Sequence, residues 1–298
     1  MKTKQILSLM VLLTLSFKVN AQANLLNSRV PQEVGKLNEQ QKAANDDDPL
    51  AYGFIDDRDV LWSKTIWEII DLDERINFPY YYPTDTINLG SDRRSLFDVL
   101  KRGVSKGQIK EVYDDDYFKV KLTYAEILER LVSKDTLDLG FEQLNAGLPI
   151  DPQYINVRTI TSKEIEQFRI KGTWYFDKRQ GELKYRLLAI APVAPDISTI
   201  DAEPQDQDLI PLFWIWFPDA REVLNNSTVF NTRNSSQPIT YDHMLNSRRF
   251  NAVIYKEENV YEDRQVQQYI FEDALQQLLE SERIKSVIRD FEQDMWNN

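Results

Sequence analysis

YGFIDDRDVLWSKTIWEIIDLDERINFPYYYP, residues 52–83, decides how the rest of the chain is read. It opens on acids, carries Trp62 and Trp67, and closes on three tyrosines and a proline. Residues 64–70 fit two patterns. Trp62, Ile66, Ile69 and Ile70 share a helical face, whereas the branched and aromatic content suits a strand. The stretch is partly echoed later. KTIWEIID (64–71) and YYYPTD (80–85) have counterparts in LKYRLLAIA (183–191) and FWIWFPD (213–219). Each half carries an apolar patch, a short helical pattern and an aromatic-bounded acidic turn, the mark of a weak internal duplication. The echo tips residues 64–70 toward strand. Residues 71–74 then have the spacing of a helix start, with Pro79 ending that helix.

Outward from there, residues 91–100 predict a short helix with Leu96, Phe97 and Leu100 on one side and Gly103 just past its end. Residues 108–113 and 117–122 predict a hairpin around Asp114, Asp115 and Asp116. Thr123 and Glu126 are spaced as a capping box, with Leu122 and Ile127 as its staple, so a helix is expected over 124–132. Gly140, Gly147, Pro149 and Pro152 mark 137–151 as loop. Residues 154–160 alternate as a strand, and Thr161 with Glu164 forms a second box, predicting a helix to about Ile170. Residues 173–177 and 182–191 read as a hairpin turning at 178–181, followed by a long proline- and acid-rich connection over 191–211.

Residues 212–217 read as a strand buried on both faces. Asp219 to Glu222 have capping spacing for a short helix, Thr240 caps another over 241–248, and 250–256 reads as a strand. Residues 257–259 form an acidic turn matching 114–116. A long helix is expected over 268–296. Its apolar stripe is Leu275, Leu278, Leu279, Ile284, Val287, Ile288, Phe291 and Met295, with a five-residue step between Leu279 and Ile284. Hairpins mixed with short helices, without a βαβ rhythm, predict an α+β fold with mostly antiparallel sheet. The expected division is a first half over 51–150 and a second over 151–298 with the long helix.

The remaining segments are of other kinds. Lys2 and Lys4 precede an apolar run over 6–17, and Ala21 or Ala23 ends a small-residue cleavage motif, so 1–21 reads as a secretory signal peptide. Residues 22–50 are polar, poor in aromatics, and end in an aspartate run at 46–48: a flexible leader. The chain has no cysteine. An exported protein must then fold without disulfides, and no lipidated cysteine follows the signal, so the mature chain is expected to be soluble, with no direct membrane insertion. Cleavage would remove three lysines and no acid, taking the net charge from −12 to −15. That sign opposes nucleic acid and suits solubility or a basic protein partner.

The residues supply little chemistry. His243 is the single histidine and sits beside Asp242 in a predicted helix, with no nucleophile motif near it. The acid runs at 46–48, 56–59 and 114–116 lack the ligand spacing and central glycine of a calcium loop and read as solvated turns and helix starts. No phosphate-binding glycine loop and no G-x-S-x-G occurs. No catalytic, cofactor or metal residue is assigned, no cofactor is expected, and partner-binding residues are not identified. The chain reads as a non-enzyme, the alternative being a secreted carbohydrate-active hydrolase with paired carboxylates. Six tryptophans and fourteen tyrosines are expected mostly in the core, or at an interface.

Longer strings carry a resemblance. They are DDRDVLWSKTIWEIIDLDERINFPYYYP (56–83), SLFDVL (95–100), WYFDKRQGELKYRLLAIAPV (174–193), PLFWIWFPDAREVL (211–224), YDHMLNSRRFNAVIYKEENVY (241–261) and ERIKSVIRDFEQDMW (282–296). With these the chain resembles the GldN/PorN family of the type IX secretion and gliding machinery of Bacteroidetes. The resemblance implies a structural periplasmic ring component that associates with the outer membrane through a lipoprotein of the GldK/PorK kind, contacts the periplasmic part of a motor protein of the GldM/PorM kind, and self-associates in the ring. It carries over no catalytic residue.

Overall fold

The computed structural model describes residues 49–85, 87, 93–199, 208–231, 239–271 and 273–296. The expected signal peptide, nearly all of the leader and the acid run at 46–48 lie outside them. In chain order the strands are β1 (Val60–Asp71), β2 (Val112–Tyr113), β3 (Val132–Thr136), β4 (Ile155–Thr159), β5 (Gln167–Asp177), β6 (Glu182–Pro195), β7 (Leu209–Pro211), β8 (Trp214–Trp216), β9 (Thr228–Val229), β10 (Ile239–Thr240) and β11 (Val253–Glu257). The helices are α1 (Phe78–Tyr81), α2 (Leu96–Ser105), α3 (Tyr124–Leu131), α4 (Asp138–Asn145), α5 (Phe217–Asn225), α6 (Tyr241–Asn246), α7 (Val266–Tyr269) and α8 (Ala274–Trp296).

Seven strands form one antiparallel sheet in the order β11-β1-β5-β6-β8-β2, with β7 also paired to β6. The α+β class and the long C-terminal helix are as the sequence predicts. β1 lies between β11 and β5, so Val60–Asp71 is a central strand. Both neighbours of β1 come from the second half of the chain, and the two halves therefore share one sheet.

Alternation along β1 sends Ile66, Glu68 and Ile70 to one face and Trp67 to the other. The first face carries two apolar clusters. Ile70 belongs to the larger, packed under α2, α3, α5 and α6. Ile66 belongs to the smaller, with Ile254, Val266 and the α8 residues Ile284 and Ile288. On the second face Trp67 packs with Ala189, Ala191 and Trp214. Trp67 and Trp214 are buried, while Trp62, Trp174 and Trp216 are half-buried.

Several local expectations hold because their signals are local. Lys178 to Gly181 turns the β5–β6 hairpin, with Gly181 at φ 66°. Thr123 and Glu126 form the full capping box of α3. Thr240 accepts from the His243 amide at 3.2 Å and caps α6. Asp56 caps a 3-10 turn at Asp57–Asp59.

Others are overruled by packing. β1 runs through to Asp71, so no helix starts there; a 3-10 turn (Arg75–Asn77) leads into α1, with Pro79 in its first turn, where a missing N–H costs nothing. Gly103 lies inside α2, and its absent side chain makes room for Ile109. Thr161 donates its amide and hydroxyl to the Glu164 carboxylate at 2.7 and 2.6 Å, but the Glu164 amide goes to the Thr161 carbonyl at 3.3 Å rather than to the hydroxyl, so the box is half made and closes only a turn. β5 starts at Gln167 because Phe168 and Ile170 are buried and paired to both β1 and β6, and that outweighs local propensity. α5 begins at Phe217, and the Asp219 carboxylate instead accepts the amides of Lys110 and Glu111 at 2.5 and 2.9 Å. β6 extends to Pro195, which shortens the expected connection after Ala191. The predicted 108–113/117–122 hairpin narrows to β2 and a bridge between Tyr113 and Lys121. The loop expected over 137–151 contains α4. Its Gly140 is a packing residue, since a Cβ there would lie 2.6 Å from Thr136 Cγ2.

The aromatic load has a consequence at high pH. Burial pushes the Tyr80, Tyr185, Tyr241 and Tyr255 hydroxyls well above their ordinary range, and Tyr52 and Tyr269 up to about 12. The folded state keeps protons that the unfolded chain releases near pH 10, so stability present below that pH is lost above it. Burial lowers Lys171, which acts in the opposite sense but as one group against six. Urea unfolding at pH 11 should show a stability lower than at pH 9 by about 1 kcal/mol for each deeply buried tyrosine. Equal stability at the two values would show that these hydroxyls ionise freely in the fold.

Candidate interaction surfaces

The residues between Leu131 and Ile160 leave the body as an arm. Both end residues are fully buried, and the Ile160 amide donates to the Leu131 carbonyl at 2.8 Å, closing the base. β3 and β4 pair only with each other, and α4 packs back on the short turn at Pro152–Tyr154. A two-stranded ladder buries little by itself. Leu137, Leu139, Phe141, Leu144 and Leu148 are each more than half exposed, and Val157 on β4 is as well. Residues 137–154 also contain Asp138, Glu142 and Asp151 and no lysine, arginine or histidine. The α4 end of the arm, residues 137–154, is thus an apolar surface flanked by acids alone, while Lys134 and Arg158 lie on the β3–β4 ladder at its base. Its signal was present in the sequence: Leu137, Phe141, Leu144 and Leu148 follow steps of four, three and four. The glycines and prolines around them hid it.

α8 has a second exposed face. Ile284 and Ile288 are buried on the sheet, Phe291 stacks on Trp62 with ring centroids 4.6 Å apart, and the Ser281 hydroxyl accepts the Ile254 amide at 2.8 Å. Leu275, Leu278 and Leu279 are exposed, as is Phe271 ahead of the helix. At 3.6 residues per turn, the five-residue step from Leu279 to Ile284 rotates the stripe by about 140°. The single stripe expected from sequence is therefore two: one inward on the second part of the helix and one outward on the first. The helix is also shorter than predicted, since α7 and α8 are separate.

Charge of the other sign collects around α2. Residues 93–110 hold Arg93, Arg94, Lys101, Arg102, Lys106 and Lys110 against Asp98 alone. Asp98 pairs with Arg94 at 3.0 Å and with Arg102 at 2.9 Å. Arg102, Lys106 and Lys110 are exposed. The Arg93 guanidinium lies 5.1 Å from the ring centre of Phe230, which is itself exposed.

Two buried ionic clusters hold the sheet on which these surfaces are mounted. Glu68 is 1% exposed, between the two apolar clusters. Arg248 meets it with two bonds, of 2.9 and 2.7 Å, and its guanidinium lies 4.2 Å from the centre of Tyr185. Arg248 has φ 50°, in the left-handed region. Gly172 leaves room for Tyr185, whose Oη would sit 2.1 Å from a Cβ at that position. On the opposite face Lys171 and Lys256 flank Trp67, with their ammonium groups 4.8 and 4.2 Å from its ring. Lys171 donates to the Asp116 carbonyl and Lys256 to the Asp116 carboxylate, both at 2.8 Å. Burial depresses Lys171; burial also opposes the charge on Lys256, but the carboxylate and Tyr117 outweigh it and raise that lysine. The 114–116 run is therefore a clamp rather than a solvated turn. Asp116 holds Lys256, and Asp114 pairs with Arg130 at 2.7 Å.

The remaining sequence candidates stay apart. His243 is exposed on α6, while its neighbour Asp242 is buried against Arg221 at 2.8 and 3.0 Å. At the β5–β6 tip an open concavity gathers Phe54, Asp56, Arg58, Asp59, Lys178 and Arg179. Its acids face bases there: Asp56 binds Arg58 at 2.9 Å and Asp59 lies 3.6 Å from Arg179. Among the described residues no helix is long and apolar enough to cross a membrane.

A family model described as gliding motility associated protein GldN matches residues 55–297. The chain belongs to the GldN family. The match takes in the whole sheet, the arm, the α2 surface and α8, and ends one residue before the last. Membership makes the chain a component of the gliding-motility and type IX secretion machinery. Comparison with curated proteins finds no match.

Proposed function

We propose that the chain is a structural, non-enzymatic subunit of the type IX secretion and gliding machine. It works in the periplasm after removal of residues 1–21 and forms a ring with an outer-membrane lipoprotein of the GldK/PorK kind. It also contacts the periplasmic region of a motor-linked protein of the GldM/PorM kind. GldN-family membership supports the machine. The observation that supports binding as the task is the arm, a surface of exposed leucines and Phe141 that the described residues leave uncovered. Interfaces of this sort gain affinity from a few desolvated apolar anchors, while charge sets encounter rate and register.

Co-purification of the mature chain with its outer-membrane lipoprotein, followed by imaging, tests this. Rings containing both proteins are the expected result. A chain that is recovered alone from the envelope, beside every lipoprotein offered, contradicts it. Deletion of residues 22–48 in the same experiment decides whether the leader takes part: unchanged rings remove it from the assembly.

A further inference from the structure

We propose that the arm of one copy docks on the α2 surface of the next, in a head-to-tail contact that repeats from subunit to subunit. The inference rests on the reading of the chain as a self-associating subunit and names the two faces that would meet. The α4 end of the arm, residues 137–154, offers Phe141, Leu144 and Leu148 among acids only, and the α2 surface offers Lys101, Lys106 and Lys110 beside Arg102, which pairs with its single acid, Asp98. Their signs are opposite, in a chain whose net charge is −12. Two α4 ends brought face to face would set acids against acids. Beside the outward leucines of α8, Glu280 pairs with Arg283 and Glu282 with Lys285, so that face is charge-balanced and offers the acids of α4 no excess of opposite charge. Like-charge juxtaposition is penalised and opposite charge selects register, so the α2 surface is the place on a second copy that the arm fits. Phe230, exposed beneath Arg93, gives that surface an aromatic to set against the arm's apolar side chains.

The contact is heterologous, because the surface given differs from the surface received. Such contacts build closed rings when the rotation between neighbours closes, and open filaments when it does not. A two-fold contact would instead place the same patch on both sides and stop at a dimer.

Charge exchange on the mature chain, read by sedimentation at low salt, tests the proposal. Asp138, Glu142, Lys106 and Lys110 are exposed and outside the ion pairs of the fold, so their variants should melt like the parent. Asp138→Lys with Glu142→Lys should weaken self-association about tenfold or more, and so should Lys106→Glu with Lys110→Glu. All four changes in one chain, or an equimolar mixture of the two double variants, restore opposite signs and should recover association to within a few-fold of the parent. Neutral Asp138→Asn with Glu142→Gln keeps the shape and should weaken association by less. If the parent associates and either double reversal does so equally well, or if the fourfold variant is no better than the doubles, this contact is wrong while the ring reading stands. A parent that stays monomeric, alone and with the lipoprotein, overturns both.

Discussion

Glu68→Ala should lower the unfolding free energy by about 3–5 kcal/mol, because it strands a guanidinium inside the fold. Arg248 reaches Glu68 across 180 residues of sequence with two hydrogen bonds and lies against Trp174, Tyr185 and Phe250. With the carboxylate gone, the cation keeps its aromatic walls and loses its counter-charge. Only partial relief is open to it, as the Arg248 side chain is 25% exposed. Urea unfolding of Glu68→Ala, Arg248→Ala and a Glu68→Leu/Arg248→Met double variant separates the cost of breaking the pair from its net worth. The double variant should recover much of the loss, because apolar replacements remove both charges. Single variants as stable as the parent would show that the pair is wet and dispensable. Loss of the pair also unpins Tyr185, which touches both apolar clusters on that face.

Trp67→Ala should cost at least about 3–5 kcal/mol, the usual price of emptying a buried tryptophan site. Trp67 is 1% exposed and its indole N–H has no partner, so it is held by packing and by two ammonium groups. Both lysines are nearly buried, and each stands over the ring face that the mutation deletes. A desolvated cation on an indole contributes about 2 kcal/mol. Trp67→Phe keeps an aromatic face and should lose less than half as much. Equal losses for Ala and Phe would show that a smaller ring restores neither the packing nor the cation contact, and that the lysines are held by Asp116 without help from an aromatic face.

What could be read from the sequence was what a few neighbouring residues decide. The β5–β6 hairpin, the Thr123 box and the Thr240 cap need only residues within one turn of each other, and each stands where the pattern puts it. The Thr161 box shows the limit. The Glu164 carboxylate takes the Thr161 amide and hydroxyl, yet the reciprocal bond and the helix do not follow, because Phe168 and Ile170 have partners on two other strands. Gly140 is the opposite case: in sequence it has the form of loop punctuation, and in the fold it is a close packing contact with Thr136. Glu68 and Arg248 carry no local sign of each other, since their meeting depends on β1 and the loop after α6 reaching one face. The arm's apolar spacing was visible, but its exposure was not, because exposure depends on how little the rest of the chain comes back to cover it. The same holds for α8, where the five-residue step could be counted and its outward leucines could not be foreseen.

The most direct measurement is hydrogen exchange of the arm amides over residues 132–159, in the free mature chain and again in the assembled complex. An arm that carries the contact exchanges readily when free and becomes protected on assembly, most of all from Leu137 to Leu148. If those amides exchange at the same rate in both states while protection appears elsewhere, the arm is not the binding surface.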